Sequence, residues 1–277
     1  MTNQSLQFLF YRLKQPELTR EQNEARVCQE LFLCKLGSDE RLSSRVAIKG
    51  GIIIDYLSNK QRGFTKDIDF DFIKFPLSPD GIKAFIDRLN STPCYKNIAI
   101  SIDTIEELRH KNYSGKRVKL LFYDNISSFS LIVDIGVYLP LFSRNKKIEY
   151  EVAFGGKTHL TINSIERIIA EKLSTFAIYG VDNSRTKDFF DAYFFIKRFK
   201  FDSAQVVKIL NSLLVKRGNY YKSLDLAIVA IENTLNDKTY RLSLEKSDRN
   251  WLGVNVGAAI TEMNEFLTQM RKHSYKK

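Results

Sequence analysis

The chemistry in this chain is most concentrated in the run Asp67-Ile68-Asp69-Phe70-Asp71-Phe72. Read as a β-strand, it puts Asp67, Asp69 and Asp71 on one face and Ile68, Phe70 and Phe72 on the other. Carboxylates this close repel one another unless a cation sits among them. Two of them at i, i+2 make a bidentate seat for Mg²⁺ or Mn²⁺, hard cations that accept oxygen ligands. A solvated strand face carrying acids is the plainer alternative for this segment alone. Upstream, Val46-Ala47-Ile48-Lys49 reads as a strand, Gly50-Gly51 as a tight turn, and Ile52-Ile53-Ile54 as the start of an apolar helix. Glycines at such a turn let backbone N–H groups approach a phosphate, and a helix N-terminus favours the anion. Downstream, Asp134 is the single acid in an otherwise apolar run over 131–137. A carboxylate buried there is costly unless paired or metal-bound. It is either a third ligand from a neighbouring strand or an edge acid facing water.

A second group of chemically interesting residues lies further along. Over 164–179, Ile165, Ile168, Ile169, Leu173 and Phe176 form a helical apolar stripe, and Lys172 falls on that stripe instead of on the polar face. Its amine either snorkels outward or reaches into a cleft as a phosphate ligand. Over 186–199, Asp188 and Asp191 are spaced i, i+3 among Phe189, Phe190, Phe194 and Phe195. Acids in such surroundings need partners; a structural ion pair with a nearby base is one solution. Arg185 and Lys187, just before them, are candidates for RNA or phosphate contacts.

The elements that must position these residues change in texture near residue 160. Before it, short β-branched or aromatic runs at 45–49, 68–73, 98–102, 118–123, 131–137 and 148–154 predict strands. Helices are predicted among them at 18–35, 51–59 and 79–90. After it the pattern is helical: 164–179, 186–199, 203–216, 221–235 and 254–272. The expected organisation is an α/β domain over 1–160 and a helical domain over 161–277.

Composition bounds the function classes. The chain has 277 residues, 43 Lys+Arg against 32 Asp+Glu, and a formal net charge of +11. The excess is spread over both parts, which fits a broad phosphate-tolerant surface better than a basic nucleic-acid-binding arm. No apolar run approaches the ~20 residues of a membrane-spanning helix, and the amino end lacks the pattern of a secretory signal. Cys28, Cys34 and Cys94 are sparse and odd in number, so free thiols in a reducing cytoplasm are expected. Gly155-Gly156-Lys157-Thr158 imitates the end of a P-loop, but Glu151 stands where the first glycine is required, so a strand-to-strand turn is expected. His110, His159 and His273 show no metal-ligand spacing with the cysteines. Serine-hydrolase and dinucleotide fingerprints are missing as well.

Taken in order, Lys49-Gly50-Gly51, Thr65-Lys66-Asp67-Ile68-Asp69-Phe70, the lone Asp134, Ile168-Ile169-Ala170-Glu171-Lys172-Leu173 and Arg185-Thr186-Lys187-Asp188-Phe189-Phe190-Asp191 resemble the motifs of the AbiEii/AbiGii nucleotidyltransferase toxins. These belong to type IV toxin–antitoxin and abortive-infection systems and have a DNA polymerase β-like core. The resemblance runs from about residue 20 to about 200. It implies an α+β fold: an amino-terminal nucleotidyltransferase-type mixed sheet with flanking helices, then a helical domain contributing Lys and Asp motifs to the active site. It also implies a phage-defence enzyme that transfers NMP from an NTP to an RNA acceptor, with tRNA 3′ ends as the leading candidate, and a cognate antitoxin as partner. Asp67, Asp69 and Asp134 would hold Mg²⁺ or Mn²⁺, and Asp134 could instead take the acceptor's proton. Lys49, Gly50, Gly51, Thr65 and Lys172 would bind the nucleotide. Asp191, with Asp188, would orient Lys172 or the substrate, and Arg185 and Lys187 would support them. Two positions depart from the pattern. Ile52 stands where a small or hydroxyl residue usually follows the glycines, and Arg62 stands one residue off the usual arginine, which leaves its role open. A small-molecule nucleotidyltransferase of the same superfamily and a non-catalytic NTP- or RNA-binding relative are the competing readings.

Overall fold

Every second residue of the 67–72 run is apolar, and the structure sends those side chains into a core. Ile68, Phe70 and Phe72 are fully or almost fully buried. Phe70 lies 5.6 Å from the ring of Phe32 and 5.6 Å from that of Phe85. The structure, a computed structural model, describes residues 4–108, 115–137, 145–182 and 185–274. His110 lies outside these, as do residues 275–277 of the basic end.

The described residues group into two compact units, 4–60 with 64–108, 115–137 and 145–163, and 61–63 with 164–182 and 185–274. In chain order the first holds α1 (Leu6–Leu13), α2 (Arg20–Gly37), α3 (Glu40–Ser43), β1 (Val46–Lys49), α4 (Gly51–Leu57), β2 (Asp67–Phe72), α5 (Pro79–Asn90), β3 (Ala99–Leu108), β4 (Gly115–Tyr123), β5 (Ser128–Val137), β6 (Lys146–Glu151) and β7 (Lys157–Ile162). The strands form one mixed sheet in the order β3-β4-β5-β2-β1-β7-β6. The β2–β5 and β1–β7 pairs are parallel and the others antiparallel. Phe32 on α2 and Phe85 on α5 close over the apolar face of β2, which leaves the opposite face for its acids.

The second unit is helical: α6 (Ile165–Tyr179), a 3₁₀ turn at Gly180–Asp182, α7 (Thr186–Arg198), α8 (Ser203–Asn211) running into a π-helical turn at Ser212–Lys216, α9 (Leu224–Asn236), α10 (Lys238–Glu245) and α11 (Val256–Ser274). Ser164 caps α6 by accepting from Arg167 N at 3.2 Å, and Gly180 ends it with φ +55°. Both are local signals in the sequence.

This is the α+β arrangement expected, with differences that have local causes. β7 was not anticipated. It is short, starts on Lys157, and follows Gly155 and Gly156, whose φ values of +101° and +88° make the P-loop-like stretch the strand-to-strand turn expected. α1 is eight residues with no acid in its first turn. It is held by the Ser5 cap and by Asp124 Oδ2, which accepts from Leu6 N at 2.7 Å, a contact 118 residues away in sequence. α3 and α10, also not anticipated, are only four and eight residues long.

The expectation of three free thiols is corrected. Cys34 on α2 and Cys94 after α5 form a disulfide, with Cα atoms 6.4 Å apart, and only Cys28 is a free, buried thiol. Sixty residues separate the partners, so spacing could not pair them; the packing of α2 against α5 does. The same segment is anchored by the buried Lys35, whose Nζ donates to the carbonyls of Cys94 and Tyr95 at 2.9 and 3.1 Å. Burial pushes that ammonium down to about 8. Alkylation of the denatured, unreduced protein is therefore expected to label one cysteine, and three after reduction. Three labelled without reduction would contradict the bond.

Candidate active site

The site is built as a row across the sheet. Lys49 on β1 is the register partner of Asp69 on β2, Asp69 of Asp134 on β5, and Asp134 of Arg117 on β4. Residues in direct register share a face, so two carboxylates stand side by side with a cation on each flank. Arg117 grips Asp134 with a fork, Nε to Oδ1 at 2.8 Å and Nη2 to Oδ2 at 2.7 Å. That bond, together with the fields of Asp67 and Asp69 beyond it, holds the guanidinium above even its usual high range. Lys49 reaches to the next acid along, with Nζ 2.6 Å from Asp71 Oδ1. Asp71 is fully buried and Gly136 makes room for it: a Cβ there would lie 2.4 Å from Asp71 Oδ1.

The Gly50-Gly51 turn presses against this row. Gly50 has φ +72° and ψ −159°, a conformation that L side chains avoid. A Cβ on it would come within 2.0 Å of Asp69 Oδ2. The missing side chain is thus required twice, by the backbone and by the carboxylate. Gly51 opens α4. Thr65 Oγ1 donates to Asp67 Oδ1 at 2.9 Å, which orients the first acid of the pair.

In the second unit, the side chains picked out on α6 and α7 meet. Lys172 Nζ lies 2.5 Å from Asp188 Oδ1 and 3.1 Å from Asp191 Oδ2. Asp191 is completely buried and also accepts from Arg62 Nε and Nη2 at 2.8 and 3.0 Å, and from Trp251 Nε1 at 3.2 Å. Burial alone would raise the Asp191 carboxyl; Lys172 and Arg62 outweigh it and hold it below the ordinary range. Burial would likewise lower Lys172, but Asp188 and Asp191 keep its ammonium charged. Arg185 caps α7 without a side-chain bond to it and sets its guanidinium 5.8 Å from the Tyr179 ring centroid. Burial pulls Lys187 down, helped by the nearby cations Arg62 and Arg249.

The structure therefore brings together Lys49, Gly50, Thr65, Asp67, Asp69 and Asp134 in one unit, and Lys172, Asp188 and Asp191 in the other. Asp134 is engaged by Arg117, and among the described residues no three His, Cys, Asp or Glu side chains form a group able to hold a metal ion. The Asp67–Asp69 pair offers two carboxylates on one strand face. That is the donor number Mg²⁺ takes when substrate phosphates and waters fill its other positions, so the donor set fits such an ion. Arg117, Gly136 and Trp251 were not singled out from the sequence. Arg117 was within reach: the Asp124–Ser127 turn closes a hairpin whose register, Tyr123 opposite Ser128, sets Arg117 opposite Asp134.

A mixed sheet carrying a Gly-Gly turn against an Asp-x-Asp strand is the arrangement that the sequence motifs imply for a nucleotidyltransferase. The chain belongs to the family described as "Nucleotidyl transferase AbiEii toxin, Type IV TA system", which it matches over residues 31–256. Among solved structures it is similar to JHP933 from Helicobacter pylori, at 19% identity and TM-score 0.46, covering 92% of this chain and 93% of that one. A second H. pylori structure, which carries a provisional nucleotidyltransferase label, shows 17% identity and TM-score 0.43, covering 92% and 96%. No curated protein matches the chain. The protein is a nucleotidyltransferase of this toxin family.

Two outcomes are expected. Gly50→Ala combines backbone strain with a collision at Asp69, so it should abolish activity and cost about 1–3 kcal/mol of stability in urea unfolding. Unchanged activity would show that the turn is not part of the site. Asp191 has a folded-state pKa below its unfolded value of 3.8, so its stabilisation is fully present above that value and is lost as pH falls through the depressed one. Asp191→Asn leaves Lys172 and Arg62 undercompensated and should cost about 3–5 kcal/mol near neutrality. It should also flatten the acid limb of the stability profile; an unaltered limb would contradict the assignment.

Proposed function

We propose that the protein transfers NMP from an NTP to the end of an RNA, with tRNA 3′ ends as the leading acceptor. In this reading it is the toxin of an abortive-infection, phage-defence pair whose cognate antitoxin restrains it. The observation that carries the reading is the Asp67–Asp69 pair with Gly50 packed against Asp69 in a conformation reserved for glycine. Asp67 and Asp69 would hold Mg²⁺ or Mn²⁺, which when bound neutralises charge on the phosphoryl oxygens and aligns the acceptor hydroxyl. Backbone N–H groups around Gly50 and Gly51 bind the triphosphate, and Lys49 adds positive charge beside them. Thr65 keeps Asp67 in its rotamer. Asp134 serves the same centre, as a ligand or by taking the proton of the acceptor hydroxyl as that oxygen attacks the α-phosphorus and pyrophosphate leaves. Lys172, which spends two of its three donors on Asp188 and Asp191, has a third for a phosphate oxygen. Arg185 and Lys187 supply cations for the RNA or NTP phosphates. No described helix is long and apolar enough to cross a membrane, and a cytoplasmic location fits substrates of this kind.

Incubation with each [α-³²P]NTP, Mg²⁺ and total RNA is expected to label RNA. Asp69→Asn should reduce labelling to background while the melting temperature holds or rises, since one of two adjacent like charges is gone. RNA labelled equally well by that variant would overturn the assignment of Asp69. Label on small molecules and never on RNA would favour the small-molecule enzyme, and NTP binding without turnover a non-catalytic relative.

A further inference from the structure

Arg117 takes no part in the transfer step proposed for the site. Its guanidinium takes both oxygens of Asp134, the carboxylate next to Asp69. The Arg117 side chain is nonetheless 46% exposed, whereas Asp134 is only 15% exposed. The cationic side of the pair is therefore open to water and to an incoming anion. A guanidinium fork recognises phosphate in the same bidentate way as carboxylate. Asp134 aims a lone pair of each oxygen at Arg117, so the cationic fork competes with a cation at Asp67 and Asp69 for that carboxylate.

We propose that Arg117 is a positioning residue that holds Asp134 in reserve in the nucleotide-free protein and trades it for the phosphates of the incoming NTP, which releases Asp134 to the metal ion at Asp67 and Asp69. The inference rests on the nucleotidyltransferase reading of that site. Metal and nucleotide then bind with positive coupling, because each removes a competitor of the other. A toxin built this way has an incomplete metal site until its substrate arrives. The neighbouring Lys49 sets its ammonium 2.6 Å from Asp71.

The test uses Mn²⁺ as the probe and no nucleotide. Binding is measured by the loss of the free-ion paramagnetic signal on the full-length protein, Arg117→Ala, Asp134→Asn and the double variant, each first shown to be folded by its thermal melt. Arg117→Ala should tighten Mn²⁺ binding about tenfold or more, a 1.4 kcal/mol step per factor of ten. In the Asp134→Asn background the same replacement should have little effect. If Arg117→Ala fails to fold, Arg117→Lys keeps the charge and loses the fork, and should give a smaller gain that also needs Asp134. Equal tightening in both backgrounds would mean that Arg117 acts only through its charge, and no tightening that it does not hold Asp134 back; either overturns the proposal. Failure of the broader reading would look different: no NMP transfer by the unaltered protein, whatever the Mn²⁺ cycle shows.

Discussion

Asp69 and Asp134 stand in direct register on two parallel strands, on the same face of the sheet. Two carboxylates so placed repel, and at the effective dielectric of a protein surface a like-charge pair about 4 Å apart costs on the order of 4 kcal/mol. The rest of the site can be read as the response to that constraint. Lys49 and Arg117 occupy the register positions on either side. Asp71, the third acid of the strand, is taken out of the problem by its bond to Lys49, for which Gly136 leaves space. Gly50 gives up its side chain so that Asp69 can keep its position. What is left is a concentration of negative charge on one strand face, and a hard cation with a phosphate chain is the ligand that would relieve it.

The helical unit solves a related problem by burial. Arg62, Lys172, Asp188 and Asp191 form a balanced set of two cations and two anions in a largely apolar setting. Trp251 adds an N–H to Asp191 and packs its ring, tilted, against Phe194 with centroids 5.0 Å apart. Such a cluster is a poor source of net stability but is costly to break one member at a time. Its effect on Lys172 is to keep the ammonium charged and aimed despite its burial. A lysine held in this way is a fixed point charge, which suits a phosphate contact better than a freely rotating surface amine does.

Much of the site was legible in the sequence because its signals are local. The alternation of Asp67 to Phe72 places the acids on one face without knowledge of any other strand. Lys172 on an apolar stripe, and Asp188 and Asp191 among phenylalanines, announced that partners must exist, and they proved to be one another's. What stayed hidden depends on distant register and packing. Arg62 reaches Asp191 over 129 residues and Trp251 over 60. Cys34 meets Cys94 over 60. Gly136 has ordinary backbone angles for a strand and reveals its purpose only when Asp71 is seen against it. Arg117 lies between these cases, since the hairpin turn fixes its partner once the turn is used to set the register.

In the function proposed, Asp67 and Asp69 seat the cation that carries the nucleotide. The most direct measurement is the anomalous difference density of a crystal grown with Mn²⁺ and a non-hydrolysable NTP. A Mn²⁺ peak coordinated by Asp67 and Asp69 is expected, with the triphosphate running past Gly50. A nucleotide bound elsewhere, or a metal peak that does not touch these two carboxylates, would contradict it.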